Sequence, residues 1–234
     1  MIAPLLATGL GAAAAGTLAL GLYHPNSRVF GSVIGRGAGR SRTLYLTFDD
    51  GPNPTATPSV LETLATARVP AAFFLVGDHV QRHPDLARRV AAAGHEVGNH
   101  TQHHVKLHLR GPARIRRELG EAHAAITQTV GRSPRLFRAP HGYRNPFVSL
   151  TARRLGYRVV GWTFGVWDSD RPGSEEIRRR VRVKLRPGAI ILLHDGDGYD
   201  AAGDRSQTAA ALPGILRDAW DAGYAFRPLG ELLQ

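Results

Sequence analysis

The 234-residue sequence has no cysteine, a single methionine and only two lysines, Lys106 and Lys184. Without cysteine, disulfide staples and thiolate metal sites are both excluded, so a metal here must be held by His, Asp or Glu. Nothing repeats at a fixed period, and no stretch is low-complexity beyond an Ala/Gly-rich start, which argues against a solenoid. A composition of 43% hydrophobic and 21% charged residues suits one good core and is short for two. The formal charge of +11 is carried almost wholly by arginine. It favours anionic partners such as acidic glycans or phospholipid head groups. No nucleic-acid motif accompanies it, so no nucleic-acid partner is expected. The run Arg178–Arg186 falls on an expected helix opened by Glu175 and Glu176, a solvated face whose charges suit the helix dipole.

Residues 1–23 carry no formal charge and would form a helix roughly 34 Å long, enough to span a hydrocarbon core. They are read as an uncleaved apolar anchor and a possible route of membrane association. A cleavable signal and a buried helix are the alternatives; Ala12–Ala15 offers cleavage patterns, but a basic n-region is missing. Residues 24–42, Gly/Arg-rich from Gly31, are read as a linker. Arg28, Arg36, Arg40 and Arg42 follow the span and no base precedes it, which by the positive-inside rule points the rest to the cytoplasm.

From Thr43 onward, short β-rich runs alternate with helical segments. Strands are expected at Leu44–Phe48, Ala72–Val76, Glu96–Gly98, Leu136–Arg138, Arg158–Trp162, Ala189–His194 and Ala225–Arg227. Helices are expected around Pro58–Ala67, Pro84–Ala93, Pro112–Val130, Pro146–Leu155, Ser174–Leu185 and Gln207–Ala222. Thr57-Pro58 reads as an N-cap, Ser59–Glu62 as a capping box, and Gly94 and Gly223 as C-terminal stops. Seven strands alternating with six helices imply an α/β fold with parallel pairing, either an open doubly wound sheet or a barrel. In both, chemistry belongs at the C-terminal ends of the strands.

The unusual polar residues cluster there. Thr47-Phe48-Asp49-Asp50-Gly51-Pro52 puts two adjacent acids at a strand end, suited to one metal ligand and one general base. In Gly98-Asn99-His100-Thr101-Gln102-His103-His104, the spacing of His100 and His104 predicts one helical turn with both rings on one face, the arrangement of two ligands of one metal. His103 and His108 fall off that register and are treated as neighbours. With an acid from another strand, the pair makes a His₂-carboxylate site with open positions. Phe137-Arg138-Ala139-Pro140-His141-Gly142 and Leu192-Leu193-His194-Asp195 end two further strands.

Together and in this order, Thr-Phe-Asp-Asp-Gly-Pro, His-Thr-x-x-His, Arg-Ala-Pro-x-Gly and Leu-Leu-His-Asp resemble the signature of the NodB-like polysaccharide deacetylases, carbohydrate esterase family four. The resemblance covers residues 43–234 as one catalytic domain and implies a distorted (β/α)7 barrel preceded by the short apolar helix. It implies that Asp50, His100 and His104 hold a divalent metal, Zn²⁺ first, with Co²⁺, Ni²⁺ or Mn²⁺ as alternatives. Asp49 would be the base, Arg138 its orienter and His194 the acid, paired with Asp168. Pro140, His141 and Trp167 would face the oxyanion or substrate, His141 through its backbone N–H. Two departures stand out: the family has Tyr where His141 stands, and its fourth motif is degraded in Trp162–Ser169. The implied activity is removal of N-acetyl or O-acetyl groups from a carbohydrate polymer, oligosaccharide or glycolipid, by a membrane-anchored or exported protein of the bacterial envelope. The alternatives keep the fold and change the substrate to a lipid-linked sugar or a non-sugar amide, or lose catalysis and bind glycan only.

Overall fold

A computed structural model describes the backbone of residues 2–39 and 41–233 and the side chains from Ala13 onward. Arg40, one of the bases following the N-terminal segment, lies outside the described residues, as does Met1. Strand β1 (Thr43–Asp49) is buried along nearly its whole length, as a strand covered on both faces must be. It pairs in parallel with β2 (Ala71–Leu75) on one side and β7 (Ala189–His194) on the other. Beyond β2 lie β3 (Glu96–Asn99), β4 (Leu136–Phe137) and β5 (Arg158–Val159); beyond β7 lies β6 (Phe164–Gly165). The short β8 (Ala225–Phe226) pairs with the start of β1. Every pairing is parallel, as the alternation of elements predicts, and the sheet curls into the distorted (β/α)7 barrel.

The period of two along each strand separates two cores. Leu44, Leu46 and Phe48 point outward to pack beneath the helices, with Phe73, Leu75, Ile191 and Leu193. Tyr45 points inward, where it meets Ala72, Phe74, Leu136 and Ile190 in a second cluster. Carrying the same alternation two steps on brings Asp49 to the top of the interior, in register with His194 of β7. Strand periodicity therefore delivers Asp49 and His194 to one end of the barrel.

The outer helices are α2 (Ala56–Ala67), α3 (Gly77–Arg82), α4 (Pro84–Ala92), α5 (Pro112–Val130), α6 (Pro146–Arg154), α7 (Ser174–Arg182) and α8 (Ser206–Asp221), and α1 (Ile2–Tyr23) precedes the barrel. Gly94 and Gly223 adopt the left-handed conformation of helix stops, as expected. The expected cap of α2 is wrong. The helix starts at Ala56, and Asn53 caps it by accepting from the N–H groups of Thr55 and Ala56, both at 2.9 Å. Thr57 is buried and turns to Asp195 instead. The expected strand Arg158–Trp162 is shorter than expected, and a separate strand follows it. Only Arg158–Val159 pairs with β4, while Phe164–Gly165 crosses to β7.

Between β5 and β6 the barrel is open, and the segment read as a linker closes it. Ile34 forms a parallel bridge with Val160, Asn26 donates to the Trp162 carbonyl at 2.8 Å, and Val33 is buried. Buried Arg144 holds the same segment by donating to the carbonyl of Ser27 at 2.7 Å. On the other edge, Arg180, Lys184 and Arg186 donate to the carbonyls of Val166, Gly165 and Thr163. Much of the arginine-rich run thus caps a strand edge or pairs with Glu176 and Asp218. The last turn of α1 docks on the domain, with Tyr23 edge-on to His108 and Tyr143. Among the described residues no helix is long and apolar enough to cross a membrane. If residues 24–42 close the barrel, Val33→Ala should lower unfolding free energy by about 2 kcal/mol in a urea titration. A tethering linker would give a change below about 0.5 kcal/mol.

Candidate metal centre and active site

Three ligand atoms converge at the top of the barrel. Nε2 of His100 lies 3.3 Å and Nε2 of His104 lies 3.1 Å from the same Asp50 oxygen, Oδ1. The donor atoms of all three residues fall within 4.8 Å of one another and all three are buried. The tautomer explains why this is a cation site. Nδ1 of His100 lies 2.8 Å from the Arg138 carbonyl, which accepts only, so this nitrogen carries the proton and Nε2 turns a lone pair towards Asp50. A lone pair facing a carboxylate oxygen is repulsive unless a positive charge sits between them. Oδ1 of Asp50 also has no hydrogen-bond partner although buried. The donor set, two imidazoles and a carboxylate without sulfur, fits a divalent transition metal. Burial alone would raise the Asp50 carboxyl, but positive charge nearby, His104 foremost, holds it well below the usual carboxylate range.

The two histidines do not share a helical turn. Residues 100–104 form an irregular loop in which Thr101 and His104 take left-handed φ of 71° and 51°. The structure brings the two rings together, as the four-residue spacing predicts, but not through the helical turn that spacing assumes. The loop is imposed by its neighbours. Asn99 accepts from the Thr101 N–H at 2.7 Å, and Glu118 of α5, fully buried, accepts from the His103 N–H at 2.9 Å. His79 of α3 holds the Asp50 carbonyl at 2.8 Å, where Asp50 itself is left-handed at φ 73°. His103 pairs with Glu118, and His108 stacks edge-on to Tyr143; neither reaches the centre.

Asp49 and His194 flank the ligands. Oδ1 of Asp49 accepts from Arg138 Nη1 at 2.6 Å, which leaves Oδ2 turned towards the ligand group, 3.7 Å from His100 Nε2. Arg138 is fully buried, donates also to Thr47 and the Gly161 carbonyl, and lies 4.1 Å over the Phe74 ring. It orients Asp49 without reaching the cleft. Asp168 acts likewise on His194, accepting from its Nδ1 at 2.9 Å and its backbone N–H at 2.8 Å, with Thr208 on the second oxygen. Burial alone would lower the His194 imidazole, but the Asp168 carboxylate outweighs it and pushes it up to about 9.

The cleft above these groups has a volume of about 610 Å³, with His141, Trp162, Phe164, Trp167, Leu192 and Tyr199 among its walls. His141 holds a left-handed φ of 57°, and its ring is pushed down to about 4 by burial and by His104. Pro140 is buried beneath that turn and does not line the cleft. Trp167 does, at its rim. Sequence reasoning missed Thr208, Glu118, Asn99 and Tyr199. The first three act through other residues and carry no motif. Tyr199 lies in Gly196–Gly203, a polar stretch that reads as an ordinary loop.

With this geometry in place, comparison with known proteins is decisive. A family profile described as Polysaccharide deacetylase matches residues 36–160. A chitooligosaccharide deacetylase of Bradyrhizobium sp. (strain ANU 289) is 41% identical over 88% of this chain and 94% of its own. The chain belongs to the polysaccharide deacetylase family. A peptidoglycan-N-acetylglucosamine deacetylase of Bacillus cereus is 38% identical over 82% of this deacetylase and 89% of its own length. A carbohydrate esterase family four pseudoenzyme of Bacillus anthracis superposes with a TM-score of 0.79 at 28% identity, covering 87% of this chain and 69% of that one.

If Asp50, His100 and His104 are the metal ligands of this deacetylase, His104→Ala should bind Zn²⁺ at least about a hundredfold more weakly while keeping a cooperative thermal transition. Asp49→Asn should retain the metal. Metal content by plasma mass spectrometry checks both, and equal loss in the two variants would mean the carboxylates have been given the wrong roles.

Proposed function

We propose that this chain is a divalent-metal-dependent hydrolase that removes N-acetyl groups from an amino-sugar oligomer or polymer, with Zn²⁺ as its cation. The observation that carries the reading is the complete constellation: a His₂-Asp ligand set with an oriented carboxylate on one side and a protonated imidazole on the other. A pseudoenzyme among the relatives makes that completeness relevant, because here every group the chemistry needs is present. The substrate class is supported by the names of the relatives, chitooligosaccharide and peptidoglycan-N-acetylglucosamine deacetylases. Peptidoglycan lies in the bacterial envelope, and α1 is the segment that would associate with a membrane there.

The bound cation would polarise the acetyl carbonyl and acidify a water molecule. Asp49 takes the proton of the attacking water through Oδ2, the oxygen Arg138 leaves free. The N–H of His141, in its left-handed turn at the cleft, is the candidate donor to the developing oxyanion, a contribution often worth a few kcal/mol. The cleft offers the acetyl methyl an apolar wall of Leu192, Phe164 and Val166. His194 then protonates the leaving amine. Its Nδ1 is committed to Asp168, so Nε2 is the nitrogen that gives up the proton.

An amide nitrogen departs poorly without that proton, whereas a phenolate leaves readily as an anion. His194→Ala should therefore lower N-deacetylation by about 10² to 10⁴-fold and aryl acetate hydrolysis far less. Because pairing with Asp168 raises the imidazole, the acid is present below pH 9 and is lost above it. The amide rate of the native protein should fall on the alkaline side with a midpoint near the value of about 9. That limb should be missing in the variant. Equal losses on amide and aryl ester, measured by acetate release, would remove His194 from the role of proton donor.

A further inference from the structure

A second cavity, of about 580 Å³, opens between residues 26–38 and the barrel, and it shares no lining residue with the catalytic cleft. Its walls come from stretches far apart in the chain. Arg28 and Arg36 belong to the segment that closes the barrel, Arg158 is the first residue of β5, and Arg186 stands in the turn before β7. The strands run parallel, with the catalytic groups at their C-terminal ends. Arg158 and Arg186 stand at N-terminal ends, so the cavity lies towards the end of the barrel opposite the metal centre.

Four guanidinium groups therefore border one cavity, and none of its lining residues is acidic. Other exposed arginines find carboxylates: Arg82 pairs with Asp78, Arg179 with Glu176 and Arg227 with Glu231. Among the described residues no such pair is formed by Arg28, Arg36, Arg158 or Arg186. Like charges gathered without a counter-charge repel one another, yet main-chain carbonyls hold three of these side chains in place. Arg36 donates from Nε and Nη2 to the Pro187 carbonyl at 3.1 and 2.8 Å. Arg186 donates to the Thr163 carbonyl at 2.8 Å, and Arg158 to the Leu233 carbonyl at 3.3 Å. A carbonyl takes one or two of the five N–H donors of a guanidinium and leaves its charge whole. Arg28 is exposed, and its side chain donates to no group among the described residues.

A preformed cavity with four cations and no acid is complementary to an anion. A carboxylate offers two oxygens in one plane and a single charge, enough for one guanidinium fork. A phosphate monoester offers three terminal oxygens and close to two charges, and accepts forks from several sides at once. The volume is that of a small-molecule site rather than of a lone ion, so the group that carries the phosphate has room. We propose that the cavity bordered by Arg28, Arg36, Arg158 and Arg186 is a binding site for a phosphate monoester, carried by a soluble molecule or by a lipid head group. The site is separate from the cleft and does not rest on the deacetylase reading.

The soluble arm of the test titrates glycerol phosphate calorimetrically into the metal-loaded full chain. The membrane arm sediments the chain with vesicles of equal parts phosphatidylcholine and phosphatidic acid, against vesicles of phosphatidylcholine alone, which accounts for any contribution of α1. Arg28→Ala and Arg36→Ala should each weaken Kd for glycerol phosphate about tenfold, the scale of one lost charge-assisted hydrogen bond. Arg28→Lys keeps the charge without the fork and should recover only part of the loss. Because the Arg28 side chain holds nothing else in place, Arg28→Ala should keep the thermal midpoint and metal content of its parent. Arginine-dependent binding of glycerol phosphate without preference for the acidic vesicles supports the proposal with a soluble ester as ligand. Capture by phosphatidic acid vesicles that both alanine variants lose supports it with a lipid head group. Variants within about twofold of the parent in both arms overturn it. Glucuronate bound more tightly than glycerol phosphate overturns it too, by making the site one for carboxylates.

Discussion

Two imidazole nitrogens and a carboxylate oxygen converge in one buried space, an arrangement that suits a shared cation. That convergence is the constraint around which the rest of the domain is arranged. Asp50, Thr101, His104 and His141 all hold left-handed backbone, a region that costs non-glycine residues on the order of 1–3 kcal/mol each. Such strain survives only where other contacts outweigh it. Here Asn99, Glu118 and His79 clamp the main chain of the ligand-bearing turns, so the site is held by polar side chains that never touch it.

Around that centre, burial and pairing divide the ionisable groups into opposed roles. Arg138 and Asp49 form a buried pair whose geometry commits one carboxylate oxygen and frees the other. Asp168 and His194 form a second pair that keeps an imidazole cationic beyond neutral pH. A base and an acid therefore coexist at one pH within one cleft. Each depends on a partner hidden from substrate, and losing that partner would leave an unpaired charge in a low-dielectric interior. Asp195 shows the contrast. Sequence neighbour to His194 but fully buried beside Thr57, its carboxyl is pushed up to about 7 by desolvation and has no cationic partner among the described residues.

The barrel's incompleteness has its own consequences. With β5 and β6 unpaired, main-chain carbonyls at the gap need donors, and a buried unsatisfied group is costly. Arg180, Lys184, Arg186 and Asn26 supply them, and residues 24–38 fill the breach. Part of the strong arginine bias is thus structural. The same gap lets β6 diverge towards β7, which carries Trp167 to the cleft rim and Asp168 beneath His194.

By itself the sequence determined the class of fold and singled out the strand ends and the polar residues that the structure gathers at one end of the barrel. Those features depend on local periodicity and on motifs short enough to read along the chain. Asp49, Asp50, His100, His104 and His194 were legible for that reason. Tertiary structure alone decided that the ligand loop is irregular rather than helical, and that the segment carrying Asn26, Val33 and Ile34 packs on the barrel. It alone brought Thr208, Glu118 and Tyr199 to the site. Each of these rests on a contact between residues far apart in the chain, formed only when the sheet curls, and no spacing along the sequence encodes a distance across a barrel.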